Sequence, residues 1–253
     1  MNYFFGYSGN GFKAQLNVPK FQNRSTPRSN IGLWSIEIHG GLWKINPEDV
    51  KQDSYFFYIN SDKINNHKVF ILATKKEISN FNKKELKSIN SYTSTLPAFR
   101  SNFKLIHTKG GFSSYQSEYP SNMVGKKGSI ISNIKSLLDP NASKNFILLR
   151  NIYILPKKTL FNSYLIDYKS KKILCKYKLQ TNKTNFIPID KKHILPNVFL
   201  FTDGYLGIPI YVSQNNQHLS MEHTHPPHSY ILSNNVFKKV SEFKKEFHEI
   251  IHS

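Results

Sequence analysis

At 253 residues the chain has room for one large domain or two small ones, and 19 Phe and 14 Tyr supply bulky core side chains that exclude a disordered polymer. A formal charge of +19 attracts polyanions, yet the basic residues include only four arginines, Arg24, Arg28, Arg100 and Arg150, so the bidentate recognition of phosphate or guanine that Arg provides is scarce. A single Cys175 excludes an internal disulfide and a paired-thiolate zinc site, and no apolar run approaches the ~20 residues that span a bilayer.

MNYFFGYSGNGFKAQ lacks the basic and apolar regions of a signal peptide, so the expected compartment is the cytoplasm. Next come GLWSIEI (32–38), SYFFYI (54–59) and KVFILAT (68–74), which read as strands from their length and their Ile, Val, Phe and Tyr content. A helix is predicted over 75–90, opened by Thr74 and Glu77 at capping-box spacing. The stretch 109–128 reads as a long loop and is the one place for a domain boundary in a chain otherwise expected to form a single domain, 1–253. Behind it, Ile130, Ile131, Ile134, Leu137 and Leu138 predict a second helix that starts at Ser129 and stops at Asp139-Pro140.

Five more strands follow: FILLRNIYIL (146–155), SYLIDYK (163–169), KKILCKYKL (171–179), VFLFT (198–202) and IPIYVS (208–213). Hairpin turns are expected at Lys169-Ser170 and over 214–217. A third helix, 236–251, carries Val236, Phe237, Val240, Phe243, Phe247, Ile250 and Ile251 as one apolar stripe. The fold class is therefore α+β: a strand-rich, mostly antiparallel sheet with about three helices, the C-terminal one packed on the sheet. GLW occurs at 32–34 and again at 41–43, and nothing else repeats.

Chemistry concentrates in MEHTHPPHSY (221–230), which holds three of the ten histidines. On a strand His223 and His225 share a face with Leu219 and Met221, while Glu222 points away, and Pro226-Pro227 ends the ladder so that His228 can fold back. Neutral imidazoles in this arrangement suit a divalent metal such as zinc or iron, with His223, His225 and His228 as ligands. The HxHP…Ser…Asp pattern of the JAMM metalloproteases is broken at Val236, which stands where the Asp ligand belongs, and the Asn-to-His spacing of the HNH endonucleases is exceeded between Asn235 and His248.

Glu37 and His39 leave one face of their strand and, with Glu222, are the candidate proton-transfer groups. Lys126, Lys127 and Ser129, just before the predicted second helix, are candidate anion-binding residues, because a helix N-terminus offers free N–H groups to phosphate. No GxSxG, HExxH, GxGxxG or Walker A loop occurs. Two functions fit: a metal-dependent hydrolase or lyase acting on an anionic or phosphorylated substrate, or a non-catalytic basic protein that binds nucleic acid or another polyanion.

Overall fold

A computed structural model describes residues 1–21, 30–86, 91, 93–94, 99–216, 218–223 and 234–253. The first half of the chain contains β1 (Asn2–Tyr3), β2 (Phe12–Pro19), β3 (Ile31–His39), β4 (Leu42–Pro47), β5 (Lys51–Gln52), β6 (Phe56–Ile59), β7 (Val69–Thr74), α1 (Lys75–Ser79), β8 (Ser101–His107), β9 (Phe112–Ser117) and β10 (Tyr119–Pro120). In the second half lie β11 (Ile131–Asn133), β12 (Lys144–Asn151), β13 (Leu160–Asp167), β14 (Lys172–Gln180), β15 (Lys183–Ile189), β16 (Val198–Thr202), β17 (Ile208–Asn215), β18 (His218–Glu222) and α2 (Val236–His252). Every strand pairing among the described residues is antiparallel.

The topology occurs twice. In the first half β2 pairs with β6 and β8, β9 adds to β8, and β3 pairs with β4 and β7. In the second half β12 pairs with β15 and β17, β18 adds to β17, and β13 pairs with β14 and β16. The leading segment matches as well, since Phe4 bridges to Phe70 of β7 just as β11 pairs with β16. A shared local turn accompanies this order. Asn60-Ser61-Asp62-Lys63-Ile64 and Asp190-Lys191-Lys192-His193-Ile194 form the same turn, with Lys63 N–H donating to Asn60 O at 3.1 Å and His193 N–H to Asp190 O at 2.9 Å. Each turn plants a buried isoleucine, Ile64 or Ile194.

Three apolar clusters form the core, and one of them joins the halves. In that one, Phe12 of β2 lies 5.0 Å from Phe146 of β12, which stacks on Phe186 of β15 at 4.8 Å. Arg150 also crosses the junction, donating from Nη1 to Asn66 O at 2.9 Å. Behind β12 a second core joins Ile147, Leu149 and Ile187 to Leu165, Leu200 and Val198 of the β11-β16-β13-β14 sheet. The outer face of that sheet, with Ile131, Tyr164, Ile166 and Phe201, is closed by α2 through Phe247 and Ile250.

Among the described residues two α-helices form, not about three. The segment after Ser129 is the short strand β11, because Ile131 to Asn133 pair with Phe199 to Phe201 and the Asn133 side chain accepts from Lys135 N–H and Ser136 N–H, turning the chain. The predicted 75–90 helix is one turn long. Thr74 and Glu77 do form the capping box, but Asn80 ends α1 and the Asn82 side chain bonds Lys84 N–H in a new turn. Within 109–128 the serine-rich FSSYQS is strand β9, paired along β8. On α2 the stripe narrows: Phe237 is 75% exposed, and the buried residues are Phe247 and Ile250.

Phe247 sits in a nest of rings, stacked 5.5 Å from Phe201 and 5.5 Å from Tyr168, with Phe199 at 5.6 Å and Phe243 at 5.1 Å. Removing a buried ring forfeits both transfer energy and packing. Phe247→Ala is expected to lower stability by ~3–5 kcal/mol, measured as a shift in the urea unfolding midpoint at unchanged slope.

Candidate active site

Where the two halves meet, a cavity of about 490 Å3 opens between β9, the 119–131 connection, the β16–β17 link and α2. Its walls are mainly apolar, with Met123, Ile130, Leu206, Ile208 and Val240, and its polar groups are Arg100, Gln116, Glu118, Ser129, His223 and Lys244. Gly207 is required at the rim, because a Cβ there would lie 2.6 Å from Arg150 O and 2.8 Å from Leu149 Cδ2. An apolar cavity with a few converging polar groups is the usual form of a small-molecule site.

Ser129, buried at 5% exposure, has its Oγ 3.2 Å from His248 Nε2. On the far side of that imidazole, Nδ1 lies 3.9 Å from Asp203 Oδ1, an electrostatic approach longer than a hydrogen bond. The three residues come from the β11 approach, α2 and the end of β16. Ser129 is held by its neighbours: Ile130 N–H donates to Thr202 Oγ1 at 2.9 Å, and Lys244 Nζ donates to Ser129 O at 2.5 Å. Burial lowers the pKa of the Lys244 ammonium. A hydroxyl bonded to an imidazole that is backed by a carboxylate is the arrangement that activates a serine nucleophile, and such contacts are commonly loose before substrate binds.

Across the cavity Glu118 lies 3.3 Å from Arg100 Nε. Desolvation outweighs this cation and raises the Glu118 carboxyl pKa to about 7. His223 follows β18, half-buried, its ring edge-on to Tyr115 at 5.2 Å. The alternation read from the sequence holds there, with Met221 buried and His218, Ser220 and Glu222 exposed.

Of the residues singled out in the sequence, the structure brings Ser129 and His223 to this one cavity. His225 and His228 lie outside the described residues. Lys126 and Lys127 are exposed and off the cavity wall, and with β11 in place of a helix they stand at no helix N-terminus. Glu222, exposed at the end of β18, is not on the cavity wall. Glu37 and His39 sit near the β3–β4 turn, cross-strand from Lys44 and Leu42, and are not on the cavity wall. Among the described residues no group of three or more His, Cys, Asp or Glu is placed to hold a metal ion.

Sequence reasoning missed Asp203, His248, Lys244, Glu118 and Arg100 as site residues. Ser129, Asp203 and His248 belong to no local motif and only tertiary packing joins them. The one readable signal was the i, i+4 spacing of Lys244 and His248 beside the apolar stripe of α2. No family model, curated protein or solved structure matches the chain.

Glu118 generates a pH dependence whose sign is fixed. Its folded pKa is raised, so its contribution to stability is complete below the ordinary carboxylate range and is lost as pH rises through about 7. Full ionisation of the buried group costs about 3 kcal/mol. Glu118→Gln removes this loss, and the drop in unfolding midpoint between pH 5 and pH 8 is expected to be smaller in the variant than in the parent protein.

Proposed function

We propose that the chain is a hydrolase that cleaves acyl esters of amphipathic, anionic molecules in the inter-repeat cavity. One observation carries this reading: Ser129, within 3.2 Å of His248 and with Asp203 beyond it, lines an apolar cavity whose wall also carries Lys244 and Arg100. His248 Nε2 takes the Ser129 Oγ proton as Oγ bonds the substrate carbonyl carbon. Lys244, 2.5 Å from Ser129 O, supplies positive charge where the oxyanion develops. His248 then passes its proton to the leaving oxygen as the ester C–O bond breaks, leaving an acyl-Ser129. Water, deprotonated by His248, attacks that ester and restores the serine. Asp203 is the positioning residue, holding the imidazole with Nδ1 protonated. The apolar walls receive the acyl chain and Arg100 the anionic group.

A fluorophosphonate probe tests the scheme without knowledge of the substrate. Intact-mass and peptide analysis should place one adduct on Ser129. Ser129→Ala and His248→Ala should lose it, and Asp203→Asn should slow labelling by about 10²–10⁴-fold. A folded protein that forms no adduct, or forms it elsewhere, contradicts the scheme.

A second reading rests on His223, which faces the same cavity. With His225 and His228 it would give three imidazoles able to hold zinc or iron, and a bound ion there would supply a Lewis acid and an activated water. Elemental analysis of tag-free protein separates the two: metal at one equivalent that disappears in His223→Ala supports the metal-dependent hydrolase, and its absence after reconstitution removes it.

A further inference from the structure

We infer that the outer face of the β5-β6-β2-β8-β9 sheet is a binding surface for single-stranded nucleic acid, which meets the cavity wall at Gln116 on its β9 edge. The topological repeat makes this face unusual. In the second half the equivalent face of the β12 sheet carries Phe146, Leu148, Ile210 and Val212 and is buried in the core shared by the halves. In the first half the outward positions of β2 are Lys13, Gln15 and Asn17. The same strand order has thus been given an apolar face to bury in one copy and a polar face to present in the other.

Register fixes what that polar face shows. One row runs straight across all five strands: Lys51, Tyr58, Asn17, Asn102 and Gln116 are successive cross-strand partners. Two further rows place Lys104 between Gln15 and Ser114, and Ile106 between Lys13 and Phe112. Cations and rings are therefore interleaved. Lys104 Nζ lies 3.8 Å from the centroid of the Phe112 ring, and Lys51 Nζ lies 6.0 Å from that of Tyr58. Phe112 is 61% exposed and Phe56 is 37% exposed.

Charge decides the occupant. None of the five strands contains an Asp or Glu. Asp53, in the turn between β5 and β6, is tied to Tyr58 Oη at 2.6 Å and to the N–H groups of Tyr55 and Phe56. Lysines free of local carboxylates suit phosphates, exposed rings suit the faces of unpaired bases, and the Asn and Gln row offers donors and acceptors to base edges. Rings on β6 and β9, three strand spacings or roughly 14 Å apart, offer separated stacking platforms. The five strands of this face offer no protruding helix to enter a duplex groove, so the fit is to a single strand.

Fluorescence anisotropy with labelled dT15, the matching duplex and heparin as competitor provides the test, using the full chain. The expected result is preference for dT15 over duplex. Tyr58→Ala and Phe112→Ala should each weaken binding by about 5- to 100-fold, with Phe112→Trp restoring it. Lys13→Gln and Lys104→Gln should each lower the slope of log K against log salt by about 0.7. Phe112 is exposed, so its loss leaves the fold intact, which circular dichroism verifies. Equal affinity for dT15 and duplex, aromatic variants that bind like the parent protein, or no binding at low salt overturns the inference.

Discussion

The packing of α2 on the outer face of the β11-β16-β13-β14 sheet is the constraint on which the site depends. Phe247 is buried among Phe199, Phe201, Phe243 and Tyr168, and this fixes the rotation of the helix about its own axis. Once that rotation is set, residues four apart on the adjoining face must point together. Val240 lines the cavity, Lys244 reaches Ser129 O and His248 reaches Ser129 Oγ. A helix anchored by aromatic burial has become the support for two polar contacts that no single segment of the chain could arrange. Tyr168 Oη and Lys171 Nζ, both on Glu246 Oε2 at 2.6 and 3.0 Å, brace the same turn of the helix.

The repeated topology explains why a cavity lies where it does. Two copies of one strand order share a core through Phe12, Phe146 and Phe186, and the 119–129 connection runs between them from β10, paired with β1, to the start of β11, paired with β16. What fills that seam is borrowed: α2 on one side, the β16–β17 link on the other. Seams between similar units gather side chains from distant parts of a sequence, which favours chemistry over packing. Arg150 illustrates the cost of the arrangement. It is almost fully buried, its Nε has no hydrogen-bond partner among the described residues, and desolvation lowers its pKa to about 9. Its bond to Asn66 O is one of the contacts that tie the copies together.

The strands were legible in the sequence where short runs were rich in Ile, Val, Phe and Tyr, as in GLWSIEI, VFLFT and IPIYVS, which became β3, β16 and β17. Legibility failed where pairing outweighed local pattern. Ile130, Ile131 and Ile134 recur at helical spacing, yet β-branched side chains also suit a strand, and β16 offered a partner while Asn133 supplied the turn. FSSYQS has too few apolar residues to read as a strand and takes its conformation from β8. The terminal helix was readable in outline, because seven apolar positions at one period leave little choice, but the exposure of Phe237 depends on where the sheet ends. For the site, Ser129 was visible as an anion-binding residue at a helix start, and the expected helix is strand β11. His223 was visible through strand alternation. Asp203 and His248 carried no local signal, since a carboxylate after a strand and an imidazole beside a phenylalanine are ordinary on their own.

The measurement that bears most directly on this account is the tautomer of His248, read from its ring nitrogen shifts in 15N-labelled protein at a pH where the imidazole is neutral. If α2 docks so that Nε2 accepts from Ser129 Oγ while Nδ1 faces Asp203, the Nδ1–H tautomer should predominate. It should revert in Ser129→Ala toward the Nε2–H form that free histidine favours. A His248 that is already an Nε2–H tautomer in the unaltered protein, with shifts indifferent to Ser129→Ala, would mean that the imidazole is not the serine's base and that the helix does not build the site.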